Sequence, residues 1–112
     1  MRKKRSARKP AALIIDLTRL ISYKPGSVVS REIIDRRSGS VTLFSFDKGE
    51  GLSEHTAPFD ALVYVLDGTV KITIAGRPYR LKKGEMIIMP ARIPHSLDAL
   101  KKFKMMLVMI KS

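Results

Sequence analysis

At 112 residues the chain is long enough for one domain with one modest core. It has no cysteine, which excludes disulfides, thiolate metal sites and cysteine nucleophiles and fits a reducing cytoplasm. Lys and Arg outnumber Asp and Glu by 22 to 10, yet no apolar run approaches the roughly 20 residues that a membrane span needs.

The charge is uneven. Residues 1–10 hold Arg2, Lys3, Lys4, Arg5, Arg8 and Lys9 and no acid, so half of the net charge of +12 sits there. Such a like-charge block is expected to form a solvated, disordered basic tail. No aromatic side chain lies within residues 1–22 to stack on bases. Nucleic acid is therefore expected only as a non-specific contact of this tail. A secretory signal is not expected, because Asp16 interrupts the short apolar segment "AALII".

Residues 11–27 read as a lead-in. Asp16 is a suitable N-cap, Leu17, Leu20 and Ile21 share a helical face, and Pro25-Gly26 ends a short helix or turn. From residue 28 to 112 helix signals vanish. Strand-like runs follow in order: "SVVSREIID", "SVTLFSFD", "ALVYVLD", "TVKITIA", "PYRL", "EMIIMP", "PHSLDA" and "FKMMLVMI". Turn-rich stretches such as "RRSGS", "DKGEG", "AGRP" and "KKGE" separate them, and the spacing predicts an all-β sandwich or barrel. Asp67-Gly68, between two such runs, predicts a hairpin.

"TVKITIA" alternates, with Val70, Ile72 and Ile74 on one face, so its other side should meet water. "LVYVL", "MIIM" and "MMLVMI" are apolar on both faces. Their second face needs another sheet, a cavity or another subunit, and a homodimer is the expected assembly. Met86, Met89, Met105, Met106 and Met109 read as core filler rather than copper ligands.

The chemistry-bearing residues are His55 and His95, the two histidines of the chain. Gly68 stands thirteen residues after His55, and "GEMIIMPARIPHSLDA" places Gly84, Pro90 and His95 in register. In these spacings the chain resembles a small single-domain cupin, a jelly-roll barrel or double-stranded β-helix, over roughly residues 40–110. The resemblance implies a divalent metal held by three histidines and a glutamate. Here Ala57 and Ala61 replace two of those ligands, Arg92 stands at a motif glycine and Ala99 at an asparagine.

A catalytic metal site ordinarily uses three protein ligands and a water. Glu54 and Asp60 both have the wrong strand parity to join His55 unless a β-bulge intervenes. Asp60, beside the missing glutamate, is the expected third ligand with His55 and His95 for iron, manganese, zinc, nickel or copper. Strand parity adds Val63, Val65, Met89 and Phe103 as pocket-lining residues. A Ser53, His55 and Asp60 triad has no nucleophile elbow to support it, and "DKGEGLS" lacks the ending of a phosphate-binding loop.

Three functions follow as expectations. The first is a small-molecule-binding barrel with His55 and His95 as polar contacts. The second is a metal-dependent enzyme, dioxygenase- or isomerase-like, with an altered metal site. The third is a ligand-responsive interaction module carrying a basic tail.

Overall fold

A computed structural model of the chain describes residues 12–111; the expected basic tail over residues 1–10 lies outside them. One short helix, α1 (Leu17–Leu20), is followed by nine strands. They are β1 (Val28–Arg36), β2 (Gly39–Phe46), β3 (Gly51–His55), β4 (Asp60–Asp67), β5 (Thr69–Ile74), β6 (Arg77–Lys82), β7 (Met86–Met89), β8 (His95–Ala99) and β9 (Phe103–Ile110). A five-stranded sheet in the order β1-β2-β9-β4-β7 faces a four-stranded sheet in the order β3-β8-β5-β6, the jelly-roll arrangement. Every pairing is antiparallel. No described helix is long and apolar enough to cross a membrane.

Alternation along the strands builds two apolar clusters. Between the sheets lie Phe46, Val63, Val65, Val70, Ile72, Leu97, Phe103 and Met105, with the Phe46 and Phe103 rings stacked at 4.5 Å. The alternate residues Leu43 and Leu66 face outward, where Ile21 covers them with Leu17, Leu20, Tyr64 and Met106 packed alongside. The doubly apolar strands β4 and β9 thus receive part of their second cover from the chain's own lead-in.

The lead-in is held by polar contacts as well. Asp16 caps α1 by accepting from the Thr18 amide at 3.2 Å. Ser45 donates to the Ser22 carbonyl at 2.8 Å, and the Tyr23 hydroxyl donates to Asp67. Lys102 and Lys104 lie 4.8 and 4.9 Å from the centre of the Tyr23 ring.

Two turns differ from the expectation. Asp67-Gly68 is not a hairpin, because β4 and β5 belong to different sheets. Gly68 (φ +80°) is the corner where the chain changes sheet, and a Cβ there would collide with the Lys102 carbonyl and stand 2.7 Å from Phe103 Cα. The hairpin falls instead at Ala75-Gly76, between the paired strands β5 and β6. Both residues have positive φ, 52° and 79°, as a two-residue type I′ turn requires.

Candidate functional site

β3 carries little hydrophobic signal, since "GLSEH" is short and its last three residues are exposed. It exists because β8 offers it a ladder. Gly51 faces Asp98, Leu52 faces Leu97, and then His55 faces His95. Three steps on β3 match two on β8, so one extra residue is bulged out between Leu52 and His55. In a flat ladder Glu54 would stand opposite His95. The bulge reverses the parity and brings the imidazole there instead.

The pair sits at the end of the barrel where β3 and β5 finish and β8 begins. His95 is 3% exposed, whereas His55 is open to solvent. Their Nε2 atoms are 3.2 Å apart and the rings meet edge to face at 76°. His55 Nδ1 lies 2.7 Å from the Ser53 carbonyl, and His95 Nδ1 lies 3.0 Å from the Ile93 carbonyl. A carbonyl only accepts, so both Nδ1 atoms carry the proton and donate it. In the neutral pair both Nε2 atoms then present lone pairs to the same point.

Two facing lone pairs are balanced by one positive charge, either a proton or a metal ion. Burial pushes His95 below its ordinary value of 6.5, the Ile93 carbonyl opposes that shift, and the facing His55 ring adds to it. The surroundings therefore resist a charge on the His95 ring. Two imidazole nitrogens bound to one ion at about 2.0–2.1 Å stand roughly 2.8–3.4 Å apart for angles between octahedral and tetrahedral; the observed separation of 3.2 Å lies in that span. Donation of the other ring N–H to a backbone carbonyl is also the usual anchoring of a metal-binding histidine.

Asp60 does not join them. It is exposed, and its Oδ1 accepts from the Ala91 amide at 2.8 Å. The bulge expected at Asp60 lies in β3. Among the described residues no group of three or more His, Cys, Asp or Glu is placed to hold a metal ion. Asp60 acts instead as half of a clasp: it ties the first residue of β4 to the segment after β7, while the Arg92 amide donates to the Ala57 carbonyl at 2.7 Å. Arg92 keeps the left-handed backbone of the glycine it replaces, with φ 65°.

His55 and Ala61 do not share one continuous strand face, because residues 56–59 carry the chain from the smaller sheet to the larger one. Ala61 is buried at 3% exposure and Ala57 is half-buried. Val63, Val65 and Phe103 are fully buried in the inter-sheet core and Met89 is 4% exposed. Their inward direction agrees with strand parity, and at their level the barrel is packed with side chains. The Ser53 and Ile93 carbonyls, which fix both rings, carry no side-chain signal that a sequence pattern could reveal.

The family model Cupin_2, described as a cupin domain, matches residues 42–111. A conserved protein of unknown function from Streptococcus pyogenes is 38% identical, covers 93% of this chain and 91% of its own, and superposes with a TM-score of 0.87. A cupin 2 conserved barrel domain protein from Leptotrichia buccalis is 41% identical over 87% of this chain, with a TM-score of 0.84; the match spans 47% of that chain. A cupin superfamily protein from Desulfitobacterium hafniense is 26% identical over 92% of this chain and 94% of its own, with a TM-score of 0.86. A comparison with curated proteins finds no match. The family match, the two facing sheets and the histidine brought in from β8 agree: the chain belongs to the Cupin_2 family of cupin domains.

Proposed function

We propose that this cupin binds a small molecule at the histidine end of its barrel, with the His55–His95 pair as the polar centre. The supporting observation is the convergence of two Nε2 lone pairs whose Nδ1 partners are already tied to backbone carbonyls. Such a pair accepts an acidic proton from a ligand, holds it between the rings, and returns it, which is the capacity of a general acid–base pair. His95 is buried and positioned, while His55 faces solvent on the side from which a ligand arrives.

A second reading, with a divalent metal at the same pair, is favoured by the Nδ1–carbonyl anchoring and the nitrogen separation. His55 and His95 would hold the ion, leaving its other positions to water or to oxygens of the ligand. When bound it would supply a Lewis acid, the common ground of dioxygenase- or isomerase-like cupin chemistry. Imidazole donors suit zinc, copper, nickel and iron better than harder ions. A cytoplasmic location and a homodimer belong to the same proposal. Support comes from the absence of cysteine and from Met86, Ile88 and Ile110, which remain about half exposed at 47%, 53% and 55%.

Protein purified without a histidine tag, incubated with each metal and desalted, tests the metal reading by elemental analysis beside a His55→Ala/His95→Ala variant. About one ion per chain in the parent and none in the variant is the expected result; no metal in either overturns that reading. The small-molecule reading is tested by imidazole NMR signals during a ligand screen. Ligands that bind without moving either histidine resonance would overturn it.

A further inference from the structure

A second concave site lies at the other end of the barrel. Six-residue β5 separates the two: Ile74 pairs with His95, whereas Thr69, about 17 Å away at 3.3–3.4 Å per residue, borders a groove of about 610 Å³. Arg80, Lys82 and Lys101 rim the groove, Leu81 and Leu100 form its apolar lining, and Glu85 is its one acid. The groove shares Arg80, Leu81 and Glu85 with a seam of about 420 Å³ between the edges of the two sheets, lined also by Tyr79, Met86 and Ile87.

The cations of this groove are uncommitted. Among the described residues the one ion pair is Lys111–Asp35, on the far side of the molecule's strand order. Lys102 and Lys104 nearby are turned to the Tyr23 ring. Glu85 is engaged, with its Oε1 accepting from the Lys82 amide at 2.9 Å. That bond also shows how the free edge of β6 is closed. Ladder hydrogen bonds alternate along an antiparallel pair, so the amides of Lys82, Arg80 and residue 78 all point away from β5. The first is capped by Glu85 and residue 78 is proline, which has no N–H. Only the Arg80 amide stays open. A strand adding to this edge needs a row of donors; a single anionic group needs one donor with cations around it.

We propose that this groove binds a small organic anion, a phosphate monoester or carboxylate. Its head is held by Arg80, Lys82, Lys101 and the Arg80 amide, and its apolar body lies along Leu81 in the seam beside Tyr79 and Ile87. The combined space suits a small molecule, and the site is independent of the histidine pair.

Phenyl phosphate is the probe, followed by backbone amide NMR, with benzoate to compare head groups, inorganic phosphate for the head alone and phenol for the body alone. Phenyl phosphate should shift the Thr69, Arg80, Leu81 and Lys101 amides saturably, inorganic phosphate the same amides more weakly, and phenol none of them. Arg80→Gln/Lys101→Gln should weaken binding by about tenfold or more. Glu85→Gln should tighten it, a gain that a merely structural role for Glu85 does not produce. His55→Ala/His95→Ala should bind as the parent does. Absence of saturable shifts, unchanged affinity in the Arg80/Lys101 variant, or shifts confined to the histidine end would each overturn the proposal.

Discussion

The two ends of the barrel are built on opposite backbone terms. At the groove end the left-handed positions are all glycine: Gly26, Gly49, Gly68 and Gly84, with φ between 64° and 88°. At the histidine end, Ala75 and Arg92 adopt φ of 52° and 65° with side chains attached, and β3 is bulged. A non-glycine residue in this region costs about 1–2 kcal/mol, so the histidine end holds strain that the groove end has removed. That strain surrounds the imidazole pair. The Ala75 amide donates to the Pro94 carbonyl at 2.9 Å and the Arg92 amide to Ala57 at 2.7 Å, which fixes the segment entering His95 from both sides. Backbone strain retained by surrounding contacts is characteristic of sites that position reacting groups. The relaxed end is joined by permissive corners and leaves its charges in solvent.

The largest test of this contrast is Gly68→Ala. A Cβ meets main chain there, and neither the Lys102 carbonyl nor Phe103 Cα can give way without moving β9. A loss of about 3 kcal/mol or more in denaturant unfolding is expected; a loss below about 1 kcal/mol would show that the groove end is not set by its glycine corner.

A second test uses pH. The His95 pKa is lowered on folding, so the unfolded chain binds the proton more readily than the native one. The stability it contributes is present above about pH 6.5 and is lost as the pH falls through the lowered folded value. Unfolding free energies measured at pH 8, 7, 6 and 5 should decline toward acid, and His95→Gln should flatten the decline. An unchanged slope in the variant would remove His95 as its source.

The smallest effect is a gain. Ala75→Asn places the residue that a type I′ turn prefers, and Arg92→Gly restores a side-chain-free left-handed position. Each should stabilise by about 0.5–1 kcal/mol in thermal or denaturant unfolding. If relaxing Arg92 also weakens metal or ligand binding at the histidine pair, the strain serves positioning; if binding is unaffected, the strain is incidental and the contrast between the ends is one of stability alone.

What could be read from the residues follows the same division. Gly84, Pro90 and His95 mark β8 and its histidine because turn residues and a buried imidazole stand at a fixed spacing whatever side chains lie between them. The alternation of "TVKITIA" gave a correct inward face, since one side packs on the core. β3 carries no such pattern, because its pairing is main-chain work done by a polar, exposed segment. The Asp67-Gly68 signal does not tell a hairpin from a corner between sheets, because both ask for positive φ at glycine. The true hairpin was hidden by an alanine in its first position. Asp60 followed its strand parity outward, and the bulge that mattered was earlier in the chain.

That bulge makes the site's chemistry a matter of counting. β3 is the outermost strand of its sheet, and "GLSEH" pairs with β8 through a ladder that carries one extra residue between Leu52 and His55. With one residue looped out, an imidazole meets His95; with none, the carboxylate of Glu54 would. Deleting Ser53 or Glu54 would flatten the ladder and leave the imidazole opposite His95, whereas a slip of the full segment into the flat ladder would bring Glu54 there. Exchange of an imidazole for a carboxylate at this position therefore lies one register slip away, with no side chain substituted, and would replace a nitrogen donor by an oxygen donor.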